Sequence, residues 1–365
     1  MNEIRNKIIT ISGDPGSGKS TVTNALKAKY ESMGYNVHVI KTGQIFRELA
    51  TKEYTKMYPD RKDANLADIQ NDPGFAEKRN LIDKMVDEEI KRKGIEINEK
   101  ERPEDVYIVD SRLAWKNIPV SYKVRMTLNE EEAGRRAYKD SSRGPEDQYL
   151  TIEDAIKKTT LRKNVEIERY KQDYGIDLSD LNNYDLVVDT LFTLPEDTAD
   201  VIITGEEKYR KGERFPKYWR NPATFIPSQK IGETLSKSPC GFTVEEIAES
   251  IKENGFSYNS PKLEAIIKDG VTVLKDGHHR CIGAVNAGKN LIPYNVTNID
   301  DEVAEKYFAG NVSLSGVYDW EDIVRYYASE KNKFNLNRFD MNRVVSMKKL
   351  DGLIKESKAK FEEGR

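Results

Sequence analysis

The sequence predicts an α/β fold: a three-layer domain built on a parallel sheet, then a smaller α+β domain, then a helical C-terminal segment. Three observations carry this. Over about the first 200 residues, short apolar runs alternate with amphipathic stretches, the pattern of a parallel sheet covered by helices. A G-x-x-x-x-G-K-[ST] loop joins the first apolar run to the first helical stretch. Beyond Ile203 the periodicity gives way to charge, Gly, Pro and aromatic residues, and shorter strands mixed with helices follow. At 365 residues the chain has material for two cores. The predicted limits are 1–204, 205–300 and 301–365.

In order, "KIITISG", "NVHVIKT", "VYIVDS", "YKVRMTL" and "YDLVVDT" read as strands. Between the first two, "STVTNALKAKYESMG" sets Val22, Ala25, Leu26 and Tyr30 near helical spacing and stops at Gly34. The stretch "GEEKYRKGERFPKYWRNPATFIPSQ" has no clear period and reads as a connector, with a boundary near Gly205. Then "FIPSQKI", "TVEEIAESIKENG" and "DGVTVLKDGHHRCIGAVNAGKNLIPYNV" give short strands and helices. Past Asp300 the chain reads as helical and somewhat basic at its end.

Composition narrows the class. With 33% charged and 37% hydrophobic residues, the chain is that of a soluble globular protein. Its 59 basic residues nearly balance 62 acidic ones, so bulk charge does not point to nucleic acid; a local basic patch for DNA stays open. The two cysteines, Cys240 and Cys281, support neither a disulfide framework nor a Cys-rich zinc pattern. No signal peptide and no run of 18 apolar residues is found, so a cytoplasmic protein without a membrane span is expected. Oligomeric state is not legible.

"GDPGSGKST", from Gly13 to Thr21, is the strongest motif. Gly13, Gly16 and Gly18 let backbone N–H groups crowd around an anion, and the helix opening at Lys19, Ser20 and Thr21 adds partial positive charge. Such a loop holds ATP, with Lys19 reaching the β- and γ-phosphates and Ser20 on Mg²⁺. Asp110, ending the run "VYIVD", either holds that metal or its waters, or caps the next turn. Nucleotide switches and small-molecule kinases share the loop, and the arginines discriminate between them. Phosphoryl transfer brings two anions together and needs cations and a lid. Arg47, Arg112, Arg135, Arg136, Arg143, Arg162 and Arg169 follow strands or lie in the polar helical stretch 130–172. Singly each reads as a solvated helix face; as a set they suggest a closing basic lid.

"ISGDPGSGKST", "IKTGQIFRELA", "VDSRLAW" and "RKNVEIERYKQDYGIDLSDLNNYDLVVDT" occur in order over residues 7–203 and resemble the cytidylate kinase-like nucleoside monophosphate kinases, especially the short archaeal type. The resemblance implies that Thr42, Gly43 and Arg47 hold the acceptor's phosphate, and that Arg112 reaches the same end. It also implies that Arg162 and Arg169 clamp phosphates from the lid side, and that "ADIQNDPGFAEKRNLIDKMVDEEI" forms acceptor-binding helices. One departure lies near the acceptor: Asp110-Ser111-Arg112-Leu113-Ala114-Trp115 stands where the archaeal pattern has Glu-Gly-Arg-Leu-Ala-Gly.

Residues 222–297, through "FTVEEIAESIKENGF" and "LKDGHHRCIGAVNAGKNLIPYNV", resemble the nucleotide-binding domain of ParB-like proteins, a fold shared with sulfiredoxin and ParB-like free-serine kinases. The resemblance implies a second nucleotide site at Asp276, Gly277, His278, His279 and Arg280. The residues alone allow a phosphate-facing turn, a structural turn in which His279 caps a helix, or a metal site, though adjacent histidines diverge. Sulfiredoxin chemistry needs a cysteine just before the His-Arg pair; His278 stands there and Cys281 follows Arg280. For serine-kinase chemistry, Asp276 and Glu233 are the candidate bases.

Together these readings predict an ATP- and Mg²⁺-dependent phosphotransferase acting on a nucleoside monophosphate of the CMP or dCMP type. Two alternatives stand beside it. One is a kinase for a hydroxymethylated base in DNA, with Asp110 as the deprotonating carboxylate. The other is a ParB-like module, either a nucleotide-gated DNA binder or a serine kinase.

Overall fold

The computed structural model describes residues 6–61, 69, 72–99, 102–140, 149–227, 240–256, 263–297, 308 and 347–363. The chain forms two compact units. The first comprises Met1–Met126, Arg136–Val187 and Ala199–Arg214; the second comprises Thr127–Arg135, Val188–Thr198 and Phe215–Arg365.

In the amino-terminal half the strands run in the order β2-β3-β1-β4-β5: Asn36–Lys41, Asp105–Asp110, Lys7–Gly13, Tyr122–Thr127 and Leu186–Asp189. β1 pairs in parallel with β3 and β4, and β2 in parallel with β3. β1 is buried along its whole length, as a central parallel strand covered on both faces must be. Its small polar residues are satisfied there, Thr10 Oγ1 lying 3.0 Å from Ser121 Oγ.

Helix α1 (Lys19–Ser32) buries Val22, Leu26 and Tyr30, one stripe at i, i+4 and i+8, and the chain turns away at Gly34 with φ 87°. Helix α2 (Thr42–Met57) follows β2 directly, and α3 (Ala76–Glu99) supplies Ile82, Val86 and Ile90 to a core shared with Tyr54, Phe75, Val109 and Ile118. A short helix α4 (Ala114–Asn117) leads into β4. Then come α5 (Glu130–Lys139) and α6 (Ile152–Tyr174). α6 is well delimited: the Thr151 hydroxyl accepts from Asp154 N at 3.1 Å, and Gly175 closes the helix at φ 64°. The tail of α6 packs Tyr170 with Leu113, Ile176 and Leu178.

All five predicted strands of this half form, as does the first helix. Within the stretch read as a connector the structure differs: helix α7 (Pro195–Arg210) continues through Gly205. The stretch 205–210 is therefore helical, ending in an i,i+4 ion pair between Arg210 and a buried Glu206. Order resumes beyond it with β6 (Tyr218–Arg220) and β7 (Ile226–Pro227).

In the second unit β6, β10 (Ile292–Val296), β8 (Glu264–Lys268), β9 (Val271–Asp276) and β7 lie side by side in that order. The β6–β10 and β8–β9 pairs are antiparallel, and the β10–β8 and β9–β7 pairs parallel. Helix α8 (Val244–Asn254) opens with a capping box between Thr243 and Glu246. Its partner α9 (His278–Asn286) approaches so closely that a Cβ on Gly283 would stand 2.6 Å from Ile247 Cγ2, which explains the small residues of "CIGAVNAG". Leu263, Ala265, Leu274, Cys281, Ala284, Ile292 and Tyr294 fill the core beneath. Helix α10 (Met347–Glu363) buries Leu353 and Ile354 against Ile226, Ile266, Val273 and Phe308. Apart from Phe308 and α10, the predicted helical segment 301–365 lies outside the described residues, as do Arg143, Glu233 and the end of "FIPSQKI". Among the described residues no helix is long and apolar enough to cross a membrane.

Candidate active site

The loop between β1 and α1 is built by close backbone approach. A Cβ on Gly13 would stand 2.7 Å from the Met126 carbonyl oxygen, so only glycine fits. Gly16 and Gly18 take φ values of 75° and 81°, in the left-handed region. Asp14 N donates to Met126 O and Ser17 N to Asp14 O, each at 3.1 Å, closing the loop's first turn. α1 then begins with no acidic residue in its first turn, and Ser20 and Thr21 are exposed there. The arrangement is an anion cradle: loop amides and a helix N-terminus without a competing side-chain negative charge in that turn.

Lys19 folds back so that its Nζ donates to Gly13 O at 3.1 Å. Burial pulls its pKa below the ordinary value; the Asp110 and Glu166 carboxylates oppose that shift, while Arg112 and Arg125 add to it. All four groups are thus electrostatic neighbours of the loop lysine. Asp110 ends β3 half-buried, and its carbonyl accepts from Thr42 Oγ1 at 3.1 Å, tying the start of α2 to the end of β3. Gly43 and Arg47, also on α2, are exposed.

Arg112 Nη2 lies 2.5 Å from Glu166 Oε1 on α6. Burial, the largest single influence, works against the charge on Arg112, but Glu166 together with Tyr170 and Asp110 outweighs it and raises its pKa. One turn earlier on α6, Lys163 Nζ lies 3.2 Å from Asp14 Oδ2, and the other Asp14 oxygen pairs with the buried Arg125 of β4. Arg136 Nη1 donates to Gly16 O at 3.3 Å. Of the arginines expected on the lid side, Arg169 pairs with Asp83 at 3.4 Å and Arg162 is exposed. The structure brings Lys19, Asp110 and Arg112 together. It adds Asp14, Arg125, Lys163 and Glu166, which sequence reasoning did not single out. The clue for two of them was helical spacing, since Lys163 and Glu166 stand three apart in "RKNVE".

In the second unit Asp276 is exposed and its carboxylate accepts from Gly277 N at 2.7 Å. Gly277, at φ 91°, precedes α9. His278 is buried, and burial lowers its pKa to about 4, with Asp276 opposing; it is neutral near pH 7. His279 and Arg280 are partly exposed. Arg280 borders a cavity of about 330 Å³ lined chiefly by Phe242, Ile247, Ile251 and Phe256. Cys281 is buried, its Sγ 3.1 Å from Pro222 O, and burial pushes the thiol up to about 12, so it is no nucleophile. Among the described residues no three His, Cys, Asp or Glu side chains cluster as metal ligands.

A parallel sheet carrying this loop and its lysine, with Arg125 and Arg136 contacting the loop itself, defines a P-loop kinase, a nucleotide-binding transferase. A family model described as an AAA domain matches residues 12–153. A cytidylate kinase from Sulfolobus acidocaldarius is 32% identical over 199 residues, covering 53% of this chain and 91% of the relative. One from Methanocaldococcus jannaschii is 34% identical over 185 residues, covering 50% of this chain and 88% of its own length. A solved shikimate kinase from Bacteroides thetaiotaomicron aligns with a TM-score of 0.32 at 12% identity, over 56% of this chain and 97% of its own. Through its amino-terminal half, the chain belongs to the cytidylate kinase family.

Proposed function

We propose that the amino-terminal half transfers the γ-phosphoryl of ATP to a nucleoside monophosphate, with CMP or dCMP as the acceptor class. The observation that carries this is the glycine-built loop at the head of α1, with Lys19 folded back onto Gly13 O and Asp110 and Arg112 among its charged neighbours. The likeness to cytidylate kinases supports the acceptor class. Loop amides and Lys19 hold the ATP phosphates. Ser20 and Asp110, a hydroxyl and a carboxylate, would supply the oxygen donors that suit Mg²⁺. Bound there, the ion supplies charge neutralisation at the phosphate oxygens. Thr42, Gly43 and Arg47 receive the acceptor phosphate, and Arg112, Arg162 and Arg169 neutralise charge as the phosphates approach. The attacking oxygen is already anionic near neutral pH, so no strong base is required and positioning does most of the catalysis.

The proposed limits are 1–204 for this kinase domain, 205–300 for a ParB-like domain and 301–365 for a C-terminal segment. In the ParB-like part, Asp276, Gly277, His278, His279 and Arg280 form the proposed turn for a second nucleotide. Support comes from the sequence resemblance and from a glycine-led helix start, with a neutral His278 packed inside and Arg280 the cationic contact.

An ATP-consumption screen against CMP, dCMP, UMP, dTMP, free serine and hydroxymethylated DNA tests both parts, with Lys19→Ala and Arg280→Ala beside wild type. Turnover with CMP or dCMP that disappears only in Lys19→Ala supports the reading. Turnover that survives Lys19→Ala but not Arg280→Ala overturns the choice of active site.

A further inference from the structure

The phosphate loop carries a carboxylate of its own. Asp14, second residue of the motif, is 6% exposed, and a buried negative charge in an anion cradle opposes phosphate binding. Two cations from different elements meet it. Arg125 of β4, itself buried, pairs with Oδ1, and Lys163 of α6 lies 3.2 Å from Oδ2 with its side chain 26% exposed. The same residue shapes the loop, since its N–H is anchored on Met126 and its carbonyl accepts from Ser17 N. Charge balance at Asp14 and loop geometry are therefore one problem. Lys163 and Glu166 share a face of α6, so the helix offers a cation to the loop and an anion to Arg112.

We infer that Lys163 and Asp14 are a positioning pair for the donor nucleotide. Lys163 cancels the loop's own negative charge and holds α6 against the loop, and it acts on ATP through Asp14 rather than by touching a phosphate. This rests on the phosphoryl-transfer reading and adds a residue pair that governs ATP affinity. Arg125 is the fixed partner beneath the loop. Lys163, on a long and partly exposed stem, is the partner that couples the loop to α6.

The test is a calorimetric titration of the full chain with MgATP in wild type, Lys163→Met, Asp14→Asn and the double variant, with Tm recorded for each. Lys163→Met is expected to weaken ATP binding about tenfold by leaving Asp14 half-compensated. In the Asp14→Asn background the same change is expected to alter affinity less than about twofold, because the charge that Lys163 balances is gone. Lys163→Arg restores binding to within about threefold of wild type. If Lys163→Met does not fold, Lys163→Gln, which keeps most of the stem, gives the same readout. Equal losses in both backgrounds would make Lys163 a direct phosphate ligand and overturn the pair, as would no loss in either. Wild type that binds no ATP would overturn the phosphotransferase reading itself, a result separable from either of these.

Discussion

Arg112 and Glu166 meet at 2.5 Å, linking the segment that leaves β3 to helix α6. Removing the carboxylate leaves a partly buried guanidinium whose charge burial already opposes. Glu166→Gln should raise KM for the acceptor about five- to tenfold, while KM for ATP moves less than about twofold. Steady-state kinetics with each substrate varied in turn checks this; an equal rise in both would place Glu166 elsewhere in the reaction.

Lys19 tells function from stability. Burial lowers its pKa, so between the folded value and the ordinary 10.5 the unfolded chain binds more protons. The destabilising contribution is full below the folded value and shrinks as pH rises through that window. Lys19→Met should therefore lower turnover by about a thousandfold or more while raising Tm. Loss of activity accompanied by loss of stability would contradict the account.

Gly13→Ala meets backbone as well as side chain: its new Cβ would stand 2.7 Å from Met126 O and 2.8 Å from Ser17 Oγ. Either β1 or β4 must shift, at a cost of about 2–3 kcal/mol, with loss of ATP binding. Gly18→Ala meets nothing so close, and its expected cost of about 1–2 kcal/mol comes from φ +81° alone. Denaturant unfolding of the two variants side by side tests the ranking.

His278 makes the second unit sensitive to acid. Its folded pKa of about 4 lies below the unfolded 6.5, so the unfolded chain takes up the proton first as pH falls. The His278 contribution to stability should be constant well above pH 6.5 and decline from there to about pH 4, by up to about 3 kcal/mol in total. His278→Gln should flatten that part of the stability profile; an unchanged slope would mean that His278 is not the titrating group.

Much of the kinase half was legible because its determinants are local. Gly13, Gly18, Lys19 and Ser20 stand in one loop, and burial on both faces imposes apolar runs on β1 and β3. The charge pairs were not legible, because they join residues far apart in sequence: Asp14 and Arg125 are 111 positions apart. On α6 a shift of one position decides which cations face the loop. Arg162 is exposed whereas Lys163 reaches Asp14, and "RKNVE" alone does not set that phase. The end of α7 past Gly205 is not legible because its charged residues run into Gly, Pro and aromatics without a clear period and read as a connector, yet Glu206 turns inward to Arg210. In "KDGHHRC" the paired histidines looked alike, and the helix start separates them, burying His278 and leaving His279 partly exposed.

The most direct test of the central claim is product analysis after mixing the protein with γ-labelled ATP, Mg²⁺ and, in parallel reactions, CMP, dCMP, UMP, dTMP, free serine or hydroxymethylated DNA. The account predicts label in CDP for wild type and none for Lys19→Ala. Label in phosphoserine or DNA, with no nucleoside diphosphate formed from any monophosphate offered, would contradict it.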